Sequence, residues 1–277
     1  MKRRENKKGS DGRMAFLQAN IYSDTLGMEV MINVILPQQT HKKFGSNSVG
    51  VTKDVPVLYL LHGMGGNHSV WQRRTSIERY VKDLGIAVIM PSTDLAWYTD
   101  TQYDMKYWTF ISEELPLLCH ELFPQLTTKR EKTFAAGLSM GGFGALKLGL
   151  LCPEKFAGIA AMSGMLTLVE AKEELFKARD ASYWRGIFGP EETWRTSEND
   201  FTYQITHYQK EQKSKFFICC GTEDELLLSS QIVVDLMQKN GFDVTFKTGP
   251  GAHEWQFWDT WIQKVLSWMQ EMIQQAN

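Results

Sequence analysis

One short segment constrains the fold of this chain more than any other feature. Residues 132–144 read KTFAAGLSMGGFG and contain the pattern G-x-S-x-G at residues 137–141. An apolar run precedes the pattern and a small-residue segment follows it, which predicts a strand, a sharp turn and a helix. Such a turn holds its central residue at strained backbone angles and needs flanking residues without bulk. It would lift the Ser139 hydroxyl above the edge of a sheet.

The pattern alone is weak evidence, because a chain of this length contains roughly 0.1 chance matches when glycine and serine are each near 7%. Two later segments strengthen it. A buried-strand run at residues 215–220 opens into a loop with Asp224, and an alternating strand at 243–247 leads to a loop with His253. The chain order Ser139, acid, histidine is typical of one class of serine hydrolase and differs from both major serine protease orders.

Each residue type has a chemical role in that arrangement. A serine hydroxyl is a poor nucleophile until a base takes its proton, and neutral imidazole does so near pH 7. A carboxylate fixes the imidazole tautomer. Glu223 and Glu225 flank Asp224, and either could be the acid, but a short aspartate is more usual in this role. The alternatives, an ordinary turn serine and a surface histidine, are less consistent with this context.

An oxyanion hole is predicted from a second glycine-rich loop. The apolar strand at residues 57–61 runs into His62, Gly63, Met64, Gly65, Gly66 and Asn67. The backbone N–H groups of Met140 and Met64 are the expected donors. We interpret His62 as a residue that shapes this loop by hydrogen bonding. His62 and His68 do not indicate a metal site, because no acidic cluster accompanies them, and no metal is predicted.

The rest of the chain alternates apolar strands with amphipathic helices. This alternation predicts an α/β fold with a mainly parallel central sheet and helices on both faces. The predicted strands are 16–22, 28–36, 57–61, 86–91, 156–162, 215–220 and 243–247, the first two forming an antiparallel pair, and the predicted helices are 70–84, 106–123, 141–151 and 254–273.

Residues 165–205 interrupt this rhythm with a polar, aromatic-bearing helical stretch. Because ligands bind at the carboxyl ends of such strands, we expect a small helical cap that shapes the pocket. The alternative is that residues 165–205 only pack against the rest of the domain and do not contact substrate. A second candidate pocket wall is the aromatic loop at 94–108. Trp108, Trp184 and Trp255 are the predicted pocket residues.

Composition limits which binding partners and which cellular compartment the sequence predicts. The formal net charge is −2, so no general attraction to nucleic acid or membranes follows, and no stretch approaches the length of a membrane span. The basic opening lacks an apolar core, so residues 1–13 are interpreted as a disordered tail with Met14 as a candidate start. Residues 14–277 are expected to form one domain. Four cysteines without a pairing pattern favour buried thiols in a cytoplasmic protein.

Together these motifs resemble the esterase D-like α/β-hydrolases, and among them the bacterial tributyrin esterases. The resemblance covers nearly all of residues 14–275 and is carried by LHGMGG at 61–66, GLSMGGFGA at 137–145 and GAHEW at 251–255. Relatives include S-formylglutathione hydrolases, feruloyl and acetyl-xylan esterases, and mycolyltransferases. The resemblance supports Asp224 as the acid and Met64 as the second oxyanion donor.

The resemblance implies hydrolysis of small-molecule acyl esters, acetyl to butyryl, through an acyl-enzyme and without a metal or organic cofactor. An acyltransferase or a carbohydrate esterase of the same fold is the alternative function. A non-catalytic binding protein is disfavoured, because serine, acid and histidine are all present. The sequence does not decide between a monomer and a homo-oligomer.

Overall fold

The computed structural model describes residues 13–38 and 53–276. The predicted tail lies outside the described residues except for Arg13, which begins the first strand rather than ending a tail. Residues 38–54 are polar and contain glycine and serine, which predicts a surface loop, and most of them also lie outside the described residues. None of the helices within the described ranges is both long and apolar enough to cross a membrane.

Eight strands form one sheet. They are β1 (Arg13–Ser23), β2 (Met28–Gln38), β3 (Val57–Leu61), β4 (Ala87–Pro91), β5 (Thr133–Leu138), β6 (Gly158–Met162), β7 (Lys215–Gly221) and β8 (Val244–Gly249). Their order in the sheet is β1-β2-β4-β3-β5-β6-β7-β8. The first two strands form an antiparallel hairpin and β2 pairs antiparallel with β4, whereas β4, β3 and β5 to β8 run parallel. The predicted mainly parallel sheet with an opening antiparallel pair is confirmed.

The two faces of the sheet bury different sets of side chains. Tyr59 of β3 faces one core cluster, whereas its neighbours Leu58 and Leu60 face the other. This alternation is what a strand covered on both faces requires. The first cluster contains Phe143 and its neighbours on the helix after β5, and the second contains Trp261 and the closing helix.

Ten α-helical segments cover these faces and the strand ends in the described ranges. They are α1 (Val70–Arg74), α2 (Ile77–Val81), α3 (Tyr107–Thr109), α4 (Leu115–Leu122), α5 (Met140–Leu151), α6 (Lys172–Ala178), α7 (Ala181–Phe188), α8 (Phe201–Thr206), α9 (Leu227–Lys239) and α10 (Trp255–Gln275). The helices predicted at 141–151 and 254–273 are confirmed as α5 and α10. The stretch at 165–205 contains α6, α7 and the start of α8.

The helix predicted over 70–84 is wrong in one respect, because it is broken into α1 and α2. Thr75 has extended backbone angles, φ −133° and ψ 175°, and separates the two helices. Its hydroxyl donates to the carbonyl of Trp71 at 2.6 Å and accepts from the N–H of Ile77 at 3.1 Å. A threonine side chain that binds the backbone in this way competes with the helical hydrogen bonds. The break leaves Arg74 at the end of a short helix.

The helix predicted over 106–123 is present as three pieces. A π-helical turn at Phe110–Glu114 separates α3 from α4. Pro116 lacks the N–H that would bond to the carbonyl of Ser112 in an α-helix. That carbonyl instead accepts a hydrogen bond from Lys155 Nζ at 2.7 Å. The proline therefore accounts for the wider turn.

Candidate active site

The turn between β5 and α5 has the geometry expected of a nucleophile elbow. Ser139 has φ 53° and ψ −118°, and its N–H donates to the carbonyl of Met162 at 2.9 Å. A Cβ atom on Gly137 would lie 2.2 Å from the carbonyl oxygen of Gly141, and one on Gly141 would lie 2.5 Å from that of Leu61. Both flanking glycines are therefore required by close backbone contact.

The structure brings the three predicted triad residues together. His253 Nε2 lies 3.0 Å from Ser139 Oγ, and His253 Nδ1 lies 3.0 Å from Asp224 Oδ2. The Asp224 side chain is fully buried, whereas that of His253 is 30% exposed. Because Nδ1 faces a carboxylate, the ring carries its proton there and leaves the Nε2 lone pair toward the serine hydroxyl. This is the tautomer that a base for Ser139 requires.

Asp224 is held in its ionised form. Burial by itself would raise its pKa, but hydrogen bonds from His253 and from the backbone N–H of Leu226 outweigh burial, so the pKa lies below its ordinary value. Ser163 follows β6, is fully buried and has φ 48°. It is a second strained non-glycine residue beside the triad.

The acidic neighbours of Asp224 occupy different positions. Glu223 accepts a hydrogen bond from the N–H of Gly251 at 2.5 Å, which ties the acid loop to the histidine loop. Glu225 is exposed. Of the three adjacent acids, the structure therefore places only Asp224 against His253.

His62 orients the glycine-rich loop after β3. Its Nε2 accepts from the N–H of Thr93 at 3.1 Å, so its Nδ1 carries the proton and donates to the carbonyl of Gly63 at 2.8 Å. The Gly63 carbonyl also accepts from the N–H of Gly66 at 3.0 Å. Since carbonyl and N–H point in opposite directions across a trans peptide, these bonds fix the direction of the Met64 N–H. Burial lowers the pKa of His62 and keeps this ring neutral.

Two backbone N–H groups remain available at the elbow. The N–H of Met140 lies in the first turn of α5, where no intrahelical acceptor exists. Neither this N–H nor that of Met64 donates to any residue in the described ranges. A Cβ on Gly63 would lie 3.4 Å from Ser139 Cβ, so the two glycine-rich segments are in direct proximity. This arrangement can stabilise an oxyanion formed at Ser139.

A cavity of about 450 Å³ opens beside Ser139. It is lined by Gly63, Met64, Gly65, Gly66, Val70, Arg74, Leu138, Ser139, His253, Glu254, Trp255 and Trp258. Of the three predicted pocket tryptophans, only Trp255 lines this cavity. No residue of the predicted cap at 165–205 lines it.

The prediction for Trp184 is wrong. Its side chain is fully buried in the first core cluster, where its indole N–H donates to the carbonyl of Leu175 at 2.7 Å. Trp108 does not line the cavity either, and its ring lies 4.4 Å from the ammonium group of Lys147. Trp184 packs against Trp97 of the aromatic loop and Phe188 of α7, and Trp108 packs against Lys147 of α5. Both rings therefore stabilise packing outside the cavity.

Sequence reasoning missed two charged residues and one aromatic residue of the cavity. Arg74 lies within the helix predicted over 70–84, and it reaches the cavity from the end of α1, where Thr75 breaks that helix. Glu254 is adjacent to His253 and could have been found from that position. Trp258 has the three-and-four spacing of core residues in the closing helix, and it is both 6% exposed and part of the cavity wall.

Comparison with known proteins places the chain in a family. Residues 23–269 match the Esterase family, described as "Putative esterase". The chain is 32% identical over 266 residues to an acetyl esterase from Caldicellulosiruptor saccharolyticus, covering 94% of this chain and 99% of the relative.

Two solved structures from Staphylococcus aureus are similar throughout. An S-formylglutathione hydrolase has a TM-score of 0.81 at 30% identity, covering 93% of this chain and 99% of its own. The fluorophosphonate-binding serine hydrolase F, with substrate bound, has a TM-score of 0.80 at 29% identity, covering 94% and 99%. The chain belongs to the Esterase family, and it is an ester-hydrolysing enzyme with the fold of these serine hydrolases.

Proposed function

We propose that the protein is a serine carboxylesterase that hydrolyses short-chain acyl esters through Ser139, His253 and Asp224. The observation that carries this proposal is the continuous hydrogen-bonded line from Ser139 Oγ through both ring nitrogens of His253 to the buried Asp224 carboxylate. The acetyl esterase relative supports the short acyl chain.

The geometry suggests a two-step reaction. His253 Nε2 takes the proton of the Ser139 hydroxyl as Oγ attacks the ester carbonyl, and the N–H groups of Met64 and Met140 stabilise the resulting oxyanion. The tetrahedral species collapses as His253 gives its proton to the departing alcohol, leaving an acyl group on Ser139. Water then attacks this acyl-enzyme with His253 again as base, which releases the acid and restores the serine.

Initial rates on nitrophenyl acetate, butyrate, octanoate and laurate test the proposal, with Ser139→Ala measured in parallel. We expect the highest kcat/KM at two to four carbons and a loss of at least about 10³-fold in kcat for Ser139→Ala. An initial burst of nitrophenol equal to the enzyme concentration would indicate the acyl-enzyme. Near-normal turnover by Ser139→Ala would refute the nucleophile, and a maximum at laurate would refute the short acyl pocket.

A further inference from the structure

Arg74 is a charged residue of the active-site cavity that the reaction above does not use. Its side chain is exposed and lines the cavity together with Ser139 and Met64. Among the described residues it has no carboxylate, carbonyl or aromatic partner. Two arginines elsewhere are engaged: Arg130 donates to the carbonyl of Pro153 at 2.6 Å, and Arg185 pairs with Glu191 at 2.7 Å. Arg74 therefore presents an uncommitted guanidinium to the cavity.

The second charge of the cavity lies on a different wall. Glu254 directly follows His253, whereas Arg74 is the last residue of α1. Helix α1 is attached to the glycine-rich loop, because the N–H of Val70 donates to the carbonyl of Asn67 at 3.1 Å. The two side chains do not form an ion pair with each other. The remaining lining is glycine backbone, aliphatic and aromatic apart from the reacting groups. The cavity therefore has a positive wall beside the oxyanion loop and a negative wall beside the base.

From this arrangement we infer that Arg74 is a specificity-determining residue for esters that carry a carboxylate or phosphate group. The inference rests on the proposed function and deepens it by naming the substrate class. A planar guanidinium binds carboxylate and phosphate oxygens with paired hydrogen bonds, and Arg74 has all its donors free for this. The partly enclosed cavity strengthens such a contact relative to open water. The anionic group could lie on the alcohol or on the acyl half of the ester.

Two matched substrate pairs test the alcohol half and the acyl half separately. For the alcohol half, the acetyl ester of 4-hydroxybenzoate is compared with the acetyl ester of methyl 4-hydroxybenzoate. For the acyl half, the 4-nitrophenyl monoester of adipic acid is compared with 4-nitrophenyl hexanoate. The quantity measured is the ratio of kcat/KM for the anionic ester to that for the neutral ester. Because intrinsic reactivity is the same for every variant, it cancels when ratios are compared between variants.

Arg74→Gln should lower this ratio about tenfold in at least one pair while kcat/KM for the neutral ester stays within about twofold. Arg73→Gln is the matched control, since Arg73 is an exposed neighbour on the same helix that does not line the cavity. It should leave both ratios unchanged. Glu254→Gln should raise the ratio that Arg74→Gln lowers, and 0.5 M sodium chloride should lower it in the wild type.

A ratio that is the same in Arg74→Gln and the wild type for both pairs would overturn the inference. Its failure is distinguishable from failure of the proposed function, because the latter would abolish turnover of the neutral esters. A binding measurement tests Arg74 independently of turnover: calorimetry of 4-hydroxybenzoate and of adipate, the carboxylate products of the two ester halves, on Ser139→Ala with and without Arg74→Gln. Weaker binding of either carboxylate after removal of Arg74 supports the inference, and equal binding of both contradicts it.

Discussion

At the scale of single residues, the site depends on backbone angles that residues other than glycine rarely adopt. Ser139 and Ser163 both have positive φ, at 53° and 48°, and each lies directly after a parallel strand. Such conformations cost on the order of 1–3 kcal/mol each and persist only where the surroundings enforce them. Here the enforcement comes from the sheet, since Ser139 N–H bonds to β6 and Ser163 N–H bonds to the Cys219 carbonyl of β7 at 2.7 Å. Hydrogen bonds to neighbouring strands therefore fix both strained serines at the carboxyl ends of β5 and β6.

Asp224→Asn tests the acid without changing the shape of the site. The asparagine amide can turn its NH₂ group toward His253 Nδ1, which moves the ring proton to Nε2 and removes the base. We expect kcat on nitrophenyl acetate to fall by about 10³- to 10⁴-fold. The thermal unfolding midpoint should change by only a few degrees.

Glu225→Gln is the matched control for that variant. Glu225 is the exposed neighbour of Asp224, and removing its charge should leave kcat within about twofold of the wild type. If Asp224→Asn retained more than a tenth of the wild-type turnover, or if Glu225→Gln were the variant that lost it, Asp224 would not be the acid.

At the scale of helices and strands, the sequence predicted the features that depend on local residue patterns. It missed those that depend on side-chain hydrogen bonds and on contacts between distant segments. The elbow followed from residues 137–141, because its glycines are required by backbone contacts within the motif and with the adjacent strand. The break at Thr75 was missed, since a threonine hydroxyl that caps the next helix leaves no periodic signal. Trp184 was misplaced because an aromatic residue in a helix has the same pattern whether it faces a core or a pocket.

An ion pair with one buried partner joins α5 to the segment at 165–205. Lys147 of α5 is fully buried and lies 2.6 Å from Glu198 Oε1, whose side chain is 44% exposed. Burial lowers the pKa of Lys147, and the nearby Glu198 carboxylate opposes that change. The same ammonium group lies over the ring of Trp108. The pair therefore connects three segments around α5.

Glu198→Ala should destabilise the protein by about 2–3 kcal/mol, because it leaves a buried ammonium group without its carboxylate. This is less than the 3–5 kcal/mol typical of fully buried pairs, since Glu198 is partly exposed. Adding Lys147→Met should recover much of the loss, because methionine fills similar volume without a charge. Urea unfolding of the two single variants and the double variant measures the coupling.

Glu174→Ala provides the control for a surface ion pair. Glu174 and Lys177 are 69% and 75% exposed and 3.9 Å apart, so removing the carboxylate should cost less than about 0.5 kcal/mol. If Glu198→Ala costs no more than Glu174→Ala, the Lys147 pair does not stabilise the attachment of residues 165–205 to α5.

At the scale of the whole molecule, several buried and partly buried groups give folding a common dependence on pH. Burial lowers the pKa values of His62, His68 and His120 from the ordinary value of 6.5. As the pH falls below 6.5, the unfolded chain therefore takes up protons at these rings before the folded protein does. The histidines contribute their full stability above pH 6.5 and lose it as the pH approaches their lower folded-state pKa values.

Carboxylates add a second acidic step. The pKa of Asp54 is well below its usual range because of hydrogen bonds from Thr127, Lys132 and Lys129, and that of Asp224 is lowered at the triad. A carboxyl group with a lowered folded-state pKa contributes stability above its ordinary pKa and loses it as the pH falls through the folded-state value. Both sets of groups therefore act in the same direction, toward unfolding in acid.

We expect the free energy of unfolding to be constant or nearly so from pH 8 to 7, to decline below pH 6.5 and to decline more steeply below pH 4. Urea unfolding at unit pH intervals from 8 to 3 measures this profile. His120→Gln, on α4 and outside the cavity at Ser139, should make the decline between pH 6.5 and 5 shallower while leaving the step below pH 4 unchanged. An equally steep decline in that variant would show that His120 does not contribute. A wild-type stability that increases as the pH falls from 6.5 to 5 would contradict the lowered pKa values of these histidines.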